Sequence, residues 1–446
     1  MKDYKDVKVL VAGLAKSGLS AIELLHRYGA KITATEKRDL KDIKELDYLR
    51  SLGVEVYPQE MSVFEGDYDL VVKNPAVPPV SEPVKRLEER GIPIITEIEL
   101  AYTLCRPQHY AAITGTNGKT TTTQLTYEIL KAKHKDKALV GGNIGTPLCQ
   151  MAMDYDLIHN EGYYISLEIS NHQLVDIDTF HPEVAVIINL TPDHIATMGS
   201  LDAYYRSKTL VYKNMDGNDL FLYNLDDEVL KEYTERYPVK AKIETFSLYE
   251  DADACLKDGY IVLHGEKMMP VEEVKIVGLH NLQNIMISSL IAYRFGVDLA
   301  TIRDVVKNFN GVEHRIEFVR ELNGVRFYND SKATNTDATI TALKAFDENV
   351  ILLLGGSDKG LDMNDVKPYL GCVKEIIGFG AAGERLAHDL DKDAPVVKGL
   401  EEAVSLACSH AEEGDIVLLS PSTASFDRYS GYEERGRHFK KLVREL

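Results

Sequence analysis

The sequence lacks any apolar stretch long enough to cross a membrane or to act as a signal peptide. Near the N-terminus, the apolar run at residues 7–12 passes directly into Gly13, and it is shorter than either kind of segment requires. Tracts rich in Ser, Gln or Pro are also missing, while hydrophobic residues make up 44% and charged residues 27% of the 446 residues. We therefore expect a cytoplasmic chain that is folded throughout and makes no contact with a membrane.

Cysteine and positive charge are both scarce. The five cysteines show no CxxC spacing, so we expect reduced core residues and no thiolate metal site. With 51 Lys and Arg against 70 Asp and Glu, the formal net charge is -19, which argues against a nucleic-acid partner because such a partner needs a broad basic face. Anionic small molecules must then be bound by a few well-placed cations and metal ions. We expect a monomer.

Apolar, β-branched runs alternate with segments of helical period, which predicts an α/β protein with parallel sheets. The main strands are expected at residues 7–12, 111–114, 165–168, 184–189, 350–354, 376–378 and 416–419. Because 446 residues exceed what one core usually serves, we expect three domains. They are a Rossmann-like N-terminal domain (1–98), a P-loop mononucleotide-binding central domain (99–312) and a Rossmann-like C-terminal domain (313–446), with the first boundary open between 98 and 108.

The first glycine-rich turn, at residues 13–18, follows the first strand and precedes a helix that extends to about Tyr28. Its middle position is Ala15 rather than glycine, so the turn is an incomplete version of the dinucleotide-binding motif. A plain structural turn and a phosphate-binding turn remain equally open. No dinucleotide cofactor is expected, since nothing related to hydride transfer follows.

The strongest motif is at residues 114–121, where a strand, a glycine loop and a helix follow one another in the order that a phosphate-binding loop requires. Lys119 would reach the terminal phosphates of ATP, and Thr120 would ligate Mg²⁺. Ile113 stands where the general motif has its first glycine, so the match covers only the second half of the motif. The residues predicted to bind ATP here are Gly115, Thr116, Asn117, Gly118, Lys119, Thr120 and Thr121.

Candidate metal ligands follow two other strands. Glu168 ends one strand, and a carboxylate suits Mg²⁺; a solvated glutamate is the equal alternative. His194 follows the strand at 184–189 and would ligate a metal or orient a phosphate, although a lone histidine is more often structural. The spacing of Lys208 is typical of a surface lysine, because an ammonium group offers a metal no acceptor atom.

Together these motifs resemble the Mur ligases of peptidoglycan assembly. The resemblance is carried by residues 115–121, 142–145, 189–194, 207–208 and 278–281. Members of that family are ATP-dependent amide ligases with one domain each for a UDP-sugar, for ATP and for the incoming amino acid. Two alternatives remain: a folylpolyglutamate synthase, which would share the phosphate loop, and a non-catalytic P-loop module.

The C-terminal third is similar to the branch of the family that adds D-glutamate, on the evidence of residues 329–335, 355–359 and 420–427. This resemblance implies UDP-N-acetylmuramoyl-L-alanine and D-glutamate as substrates, with an acyl phosphate as the intermediate. The sequence departs from the family pattern in two places: residues 171–172 are Asn-His where small or aromatic residues are common, and Tyr432 stands where Phe is expected.

The resemblance also implies roles for single residues. Lys208 would be N-carboxylated, and its CO₂-derived carbamate would ligate the second of two Mg²⁺ ions or orient the phosphates. The implied metal ligands are then Thr120, Glu168, His194 and Lys208. The implied catalytic residues are Lys119, His194, Lys208 and Lys332. Beyond the phosphate loop, the nucleotide is expected to meet His280, Asn281, Asn284, Arg315 and Asp330. The residues expected to bind either substrate are Leu14, Ala15, Lys16, Ser17, Glu36, Lys37, Arg38, Asn143, Ser170, His314, Thr334, Lys359, Ser425, Phe426 and Tyr432.

Overall fold

The computed structural model describes residues 3–192, 195–358 and 360–446. Strands and helices alternate along most of the chain and form three sheets that are mostly parallel, which confirms the predicted α/β class. The strands are β1 (Lys8–Ala12), β2 (Lys31–Glu36), β3 (Glu55–Pro58), β4 (Leu70–Lys73), β5 (Ile94–Ile95), β6 (His109–Thr114), β7 (Ala138–Gly142), β8 (Tyr164–Glu168), β9 (Val184–Ile187), β10 (Leu220–Asn224), β11 (Lys242–Ser247), β12 (Ala254–Lys257), β13 (Tyr260–Leu263), β14 (Glu266–Pro270), β15 (Glu317–Leu322), β16 (Val325–Asn329), β17 (Val350–Gly355), β18 (Val373–Phe379), β19 (Val396–Val397) and β20 (Ile416–Leu419).

The α-helices pack on the faces of these sheets or connect their strands. They are α1 (Lys16–Arg27), α2 (Leu46–Ser51), α3 (Met61–Phe64), α4 (Glu82–Glu89), α5 (Glu97–Leu104), α6 (Lys119–His134), α7 (Leu148–Asp154), α8 (Asn171–Leu174), α9 (Ile195–Met198), α10 (Leu201–Thr209), α11 (Glu228–Arg236), α12 (Leu279–Arg294), α13 (Leu299–Asn308), α14 (Thr336–Leu343), α15 (Gly383–Leu390), α16 (Leu400–His410) and α17 (Tyr432–Glu445). Among the described residues, no helix is both long and apolar enough to cross a membrane.

The first sheet is parallel and has the strand order β3-β2-β1-β4-β5. The middle residues of β1, Val9, Leu10 and Val11, are fully buried, because helices cover both faces of such a sheet and the strand must be apolar throughout. At the carboxyl ends of β1 and β4, Ala12 pairs with Lys73. The first glycine turn therefore lies beside the loop that follows β4.

The second sheet has nine strands in the order β14-β13-β12-β11-β10-β9-β6-β8-β7. Strand β6 lies between β8 and β9, so that Ile113 pairs with Glu168 and Thr114 pairs with Ile187. This register brings the phosphate loop, Glu168 and the segment after β9 to one edge of the sheet, where ligands of parallel sheets bind. Strand β9 ends two residues earlier than expected.

The third sheet has the order β15-β16-β20-β17-β18-β19, with β15 antiparallel to its neighbour. Successive residues of β17 enter opposite cores: Leu352 packs into one cluster and Ile351 and Leu353 into the other. The loops after β16, β17 and β20 meet at the carboxyl edge, since Leu419 pairs with both Asn329 and Leu353.

The chain forms two compact units. The first contains residues 1–270 and 283–305, with the first two sheets, and the second contains residues 271–282 and 306–446, with the third sheet. The expected domain boundaries at 98 and 312 stay a prediction. Helix α12 begins at Leu279, directly after Gly278, whose φ of 95° supplies the turn that precedes the helix.

Candidate active site

The phosphate loop connects β6 to α6 in a conformation that needs glycine at two positions. Gly115 and Gly118 have φ 147° and 86°, a region that other residues rarely adopt. A Cβ atom at Gly118 would lie 2.6 Å from Asn284 Oδ1, and one at Gly115 would lie 3.0 Å from Ile188 Cβ. The loop is thus closely packed against Ile188 and Asn284. The N-terminus of α6, with Lys119 and Thr120 in its first turn, carries the partial positive charge that favours phosphate.

The segment after β9 holds the loop in place. Asn117 donates its backbone N–H to Asn189 Oδ1 at 2.9 Å, and Thr116 Oγ1 donates to the Thr191 carbonyl at 3.0 Å. On the other side, Thr122 Oγ1 donates to Asn284 Oδ1 at 3.0 Å, so the expected nucleotide residue Asn284 contacts the helix of the loop. His194, the predicted metal ligand, lies outside the described residues.

Lys119 and Lys208 converge on one oxygen. The ammonium groups of both residues donate to the Gly115 carbonyl at 2.9 Å, and Lys119 also donates to the Thr116 carbonyl at 2.8 Å. Lys208 is only 1% exposed, with its Nζ 4.6 Å from the centre of the Tyr204 ring. The expectation of a surface lysine from spacing alone is therefore wrong, because α10 packs this residue against the phosphate loop. Two cations at one carbonyl favour an anionic ligand.

Glu168 is a buried carboxylate at the end of β8. Its Oε2 accepts from Thr120 Oγ1 at 3.0 Å and its Oε1 accepts from Asn143 Nδ2 at 2.8 Å. The side chain is 2% exposed, so the alternative of a solvated glutamate is wrong. No ion pair to Glu168 exists in the described part of the chain, and buried charges usually pair or bind a metal. Asn143, expected to bind substrate, contacts this carboxylate, and Ser170 caps α8 just after it.

A cavity of about 1100 Å³ opens at the carboxyl edge of the first sheet. We call it the N-terminal cavity; of the residues expected to bind substrate, it is lined by Leu14, Ala15, Lys16, Glu36, Lys37 and Arg38. Burial raises the pKa of Glu36, but hydrogen bonds from Arg38 and from the Leu14 backbone outweigh it and hold the pKa at about 2. Ser17 was also expected to bind substrate. Its Oγ accepts a hydrogen bond from Asn74 Nδ2 at 2.8 Å.

At the carboxyl edge of the third sheet, Asp330 is buried and partnered by its own chain. Its Oδ2 accepts from Ser420 Oγ at 2.8 Å and its Oδ1 accepts from the Ile316 backbone at 3.2 Å. Burial raises the pKa of Asp330 to about 7, although these hydrogen bonds oppose the rise. Lys332 is linked to the same cluster through its backbone N–H, which donates to the His314 carbonyl at 3.0 Å.

His314 is 3% exposed and packs against α17. Its Nδ1 lies 2.9 Å from Asn329 Nδ2, which fixes the ring nitrogen as the acceptor. A Cβ atom at Gly436 would lie 2.2 Å from that nitrogen, so only glycine fits there. Burial lowers the pKa of His314, and the ring is therefore neutral at physiological pH. Tyr432 begins α17 with its ring centre 6.0 Å from that of His314.

The loop after β20 presents buried hydroxyl groups without partners. Ser425 Oγ and Thr423 Oγ1 find no hydrogen-bond partner among the described residues, which is rare for buried polar atoms. Phe426 follows them and is 72% exposed. Thr334 precedes α14 and is partly buried, and Lys359 lies outside the described residues.

Sequence reasoning missed Arg435, which is fully buried on α17. Its guanidinium donates to the carbonyl oxygens of Ser331, Gly355 and Thr423 at 2.9, 3.2 and 2.9 Å. Ser331 and Thr423 lie on the loops after β16 and β20, and Gly355 is the last residue of β17, where the third loop begins. Arg435, Phe439 and Val443 are spaced at i, i+4 and i+8 and are all buried, so the helical period could have revealed an arginine on an apolar face.

His280, Asn281 and Arg315, expected near the nucleotide, belong to the second compact unit. Asn281 Nδ2 donates to the Val277 carbonyl at 2.6 Å. Burial lowers the pKa of His280, with a smaller contribution from the charge of Arg315. Their nucleotide contacts stay a prediction.

A phosphate loop next to a buried carboxylate, on an α/β scaffold with buried, unpartnered hydroxyls at the carboxyl edge of another described sheet, is typical of an ATP-using enzyme. The family model for the Mur ligase middle domain matches residues 113–292, and the model for the Mur ligase glutamate ligase domain matches residues 314–423. The chain belongs to the Mur ligase family.

Curated relatives narrow the comparison further. A UDP-N-acetylmuramoylalanine–D-glutamate ligase from Thermoanaerobacter pseudethanolicus is 41% identical, covering 100% of this chain and 99% of its own. One of the same name from Bacillus subtilis is 39% identical, covering 98% and 97%. These relatives confirm the resemblance to the D-glutamate-adding branch.

Solved structures show the same fold at lower identity. The MurF ligase from Thermotoga maritima in complex with ADP has a TM-score of 0.56 at 18% identity, covering 100% of this chain and 97% of its own. The UDP-N-acetylmuramate-alanine ligase from the same organism has a TM-score of 0.55 at 20% identity, covering 98% and 99%.

Proposed function

We propose that this protein is an ATP-dependent ligase that joins D-glutamate to UDP-N-acetylmuramoyl-L-alanine, releasing ADP and phosphate, in cytoplasmic peptidoglycan precursor synthesis. The observation that carries the proposal is the contact between the phosphate loop and the buried Glu168 at the carboxyl edge of the second sheet. Relatives 37–41% identical over nearly the whole chain bear the name of that ligase.

Forming an amide from a carboxylate requires a leaving group. An oxygen of the L-alanyl carboxylate attacks the γ-phosphorus of ATP, forming a C–O–P linkage, and the bond from that phosphorus to ADP breaks. The amine of D-glutamate then attacks the carbonyl carbon, the C–O bond to phosphate breaks, and the amine loses a proton. Phosphate therefore leaves with one carboxylate oxygen.

The principal obstacle is repulsion between anions, since a triphosphate and a carboxylate must meet. The Gly115 carbonyl orients Lys119 at the mouth of the loop, and the N-terminus of α6 adds its dipole. These groups are fixed before the substrates arrive, so stabilising the developing charge requires no further reorganisation.

The residues present fit Mg²⁺. Glu168 supplies a buried carboxylate without an ion-pair partner in the described chain, and Thr120 supplies a hydroxyl within 3.0 Å of it, both of which are oxygen ligands that Mg²⁺ prefers. Glu168 and Thr120 would hold one ion, and His194 and Lys208 would contribute to a second. Bound Mg²⁺ would neutralise phosphate charge, while Asn143 keeps the carboxylate of Glu168 in its orientation.

Lys208 fits N-carboxylation. As an ammonium it is buried at the same carbonyl as Lys119, where two like charges disfavour each other. Reaction of the neutral amine with CO₂ would replace one cation with an anion that offers oxygen ligands, and the carbamate N–H could still donate to the Gly115 carbonyl.

The unpartnered hydroxyls of Ser425 and Thr423 support a D-glutamate site at the edge of the third sheet. They would donate to its carboxylates, with Lys359 and Thr334 as further partners and with Phe426 and Tyr432 beside the ligand. Arg435 would fix the positions of the loops after β16, β17 and β20 relative to one another through its hydrogen bonds to the carbonyls of Ser331, Gly355 and Thr423.

An amino-acid screen tests this function. Phosphate release is measured with ATP, UDP-N-acetylmuramoyl-L-alanine and one candidate amine at a time. We expect release only with D-glutamate and not with L-glutamate. Release that needs a pteridine acceptor would support a folylpolyglutamate synthase instead, and nucleotide binding without any amine-dependent turnover would support a non-catalytic module.

A further inference from the structure

Lys73 is a buried lysine at the carboxyl end of β4. Its side chain is 1% exposed, and its ammonium group donates to the Val77 carbonyl at 3.0 Å while pairing with Asp176 Oδ2 at 2.9 Å. Burial raises the pKa of Asp176, and the charge of Lys73 opposes that rise. Lys73 does not line the N-terminal cavity, so any effect on a ligand must pass through the residues it holds.

One end of this pair holds the wall of the N-terminal cavity. Asn74, Ala76 and Val77 line the cavity, and the turn is closed internally because the Ala76 backbone donates to Asn74 Oδ1 at 2.9 Å. Asn74 also donates to Ser17 Oγ at 2.8 Å in the first glycine turn. The bond from Lys73 to Val77 fixes the far side of the same turn.

The other end belongs to the edge of the second sheet. Asp176 follows α8, which Ser170 caps directly after Glu168 on β8. Gly199, which follows α9, also lies close to Val80 of the segment after β4, since a Cβ atom at Gly199 would be 3.2 Å from Val80 Cγ1. The ion pair thus connects the cavity wall to the segment after α8, at the same edge of the second sheet as the phosphate loop.

A buried ion pair contributes little net stability, because removing two charges from water is costly. Apolar residues of similar volume in the same place often stabilise the folded state as well or better. Such pairs are retained in some proteins because they specify one geometry rather than because they add stability. Lys73 also donates a hydrogen bond to the Val77 carbonyl in the cavity wall. An apolar side chain at position 73 could not make this hydrogen bond.

We propose that Lys73 and Asp176 are positioning residues that set the wall of the N-terminal cavity relative to Glu168 and the phosphate loop, and thereby deliver the acceptor carboxylate to the γ-phosphate. This inference rests on the proposed function, in which the cavity holds the UDP-substrate. Bond formation requires reacting atoms within about 3–3.5 Å, and a displacement of about 1 Å costs roughly 100-fold in rate.

The first test is Lys73→Met, which removes the charge and keeps much of the volume. We expect kcat/KM for the UDP-substrate to fall by roughly 10- to 100-fold, while the KM for ATP changes by less than about twofold, since the phosphate loop is untouched. Lys73→Arg should recover most of the loss. Lys8→Met is the matched control, because Lys8 forms only an exposed pair with Asp67 at the opposite end of the sheet.

The double variant Lys73→Met/Asp176→Leu separates positioning from stability. It leaves no unpaired buried charge, so its thermal midpoint should return close to that of the wild type, yet the bond to the Val77 carbonyl stays lost and kcat/KM for the UDP-substrate should stay low. Recovery of kcat/KM together with stability would overturn the inference. Should Lys73→Met fail to fold, the double variant alone decides.

Calorimetry of UDP-N-acetylmuramoyl-L-alanine binding, without ATP or D-glutamate, distinguishes the two proposals. Binding by a wild type that forms no D-glutamyl product would refute the proposed function. Unchanged affinity and unchanged kcat/KM in the double variant, with a wild type that forms product, would refute the positioning role.

Discussion

Thr120 Oγ1 donates a 3.0 Å hydrogen bond to Glu168 Oε2, which joins the first turn of α6 to the end of β8. The contact follows from the sheet order, since β8 pairs directly with β6 and brings Glu168 beside Ile113. A hydroxyl and a carboxylate so placed, at the mouth of a phosphate loop, are the oxygen ligands that the proposed magnesium site would use.

Glu168→Gln keeps the shape of this side chain and removes its charge. We expect kcat to fall by roughly 100-fold or more, as when a group that stabilises transition-state charge is lost, and the Mg²⁺ concentration for half-maximal activity to rise. Asn143→Ala should weaken the affinity for Mg²⁺ by about 10- to 100-fold, because the Glu168 carboxylate would lose the hydrogen bond that orients it. Phosphate release titrated with MgCl₂ measures both.

Glu183→Gln is the control for that series, since Glu183 lies just before β9, at the other edge of the same sheet. It should leave the Mg²⁺ dependence unchanged. A Glu168→Gln enzyme with the Mg²⁺ dependence of the wild type would remove Glu168 from the metal site.

Lys208 should make activity depend on CO₂. Omitting bicarbonate at mildly acid pH favours the free ammonium, so the wild type should lose activity and regain it when bicarbonate is added. Lys208→Arg keeps a cation but cannot be carboxylated, and it should be inactive under both conditions. Normal turnover of Lys208→Ala would end the carbamate hypothesis.

Arg435→Met should disturb both stability and D-glutamate binding. The substitution removes the guanidinium hydrogen bonds to the carbonyls of Ser331, Gly355 and Thr423. A buried carbonyl left without a donor costs about 1–3 kcal/mol, so the free energy of unfolding should fall by roughly 3 kcal/mol or more. The KM for D-glutamate should rise more than the KM for ATP. Urea unfolding and steady-state kinetics measure these effects, with the exposed Arg437→Met on the same helix as control; equal behaviour of the two variants would mean that Arg435 has no such role.

Glu97 gives the stability a pH dependence. Burial raises the pKa of its carboxyl from 4.5 to about 7, although backbone hydrogen bonds from Cys149 and Leu148 oppose the rise. Because the folded state binds this proton more tightly, the contribution of Glu97 to stability is full below about pH 4.5 and is lost as pH rises through about 7. Glu97→Gln should therefore gain about 3 kcal/mol relative to the wild type between pH 4.5 and 8. Urea midpoints measured across that range check this, and a constant difference would argue against a raised pKa.

The sequence predicted the strands around the site well, because strands such as β6 and β17 are buried on both faces and therefore carry continuous apolar stretches. The loop at 114–121 was also predictable, since its glycines and Lys119 are required by local geometry. Side-chain environments were not: Lys208 has the spacing of a surface residue, and only its packing against Gly115 buries it. Likewise, the roles of Asn143 and Arg435 depend on partners distant in sequence.

Oxygen transfer tests the central claim most directly. UDP-N-acetylmuramoyl-L-alanine labelled with ¹⁸O in both oxygens of its alanyl carboxylate is incubated with ATP and D-glutamate, and the released phosphate is analysed by mass spectrometry. The proposed chemistry predicts one ¹⁸O in each phosphate and a product heavier by one glutamyl residue that retains the other ¹⁸O. Unlabelled phosphate, or phosphate release that does not require D-glutamate, would contradict it.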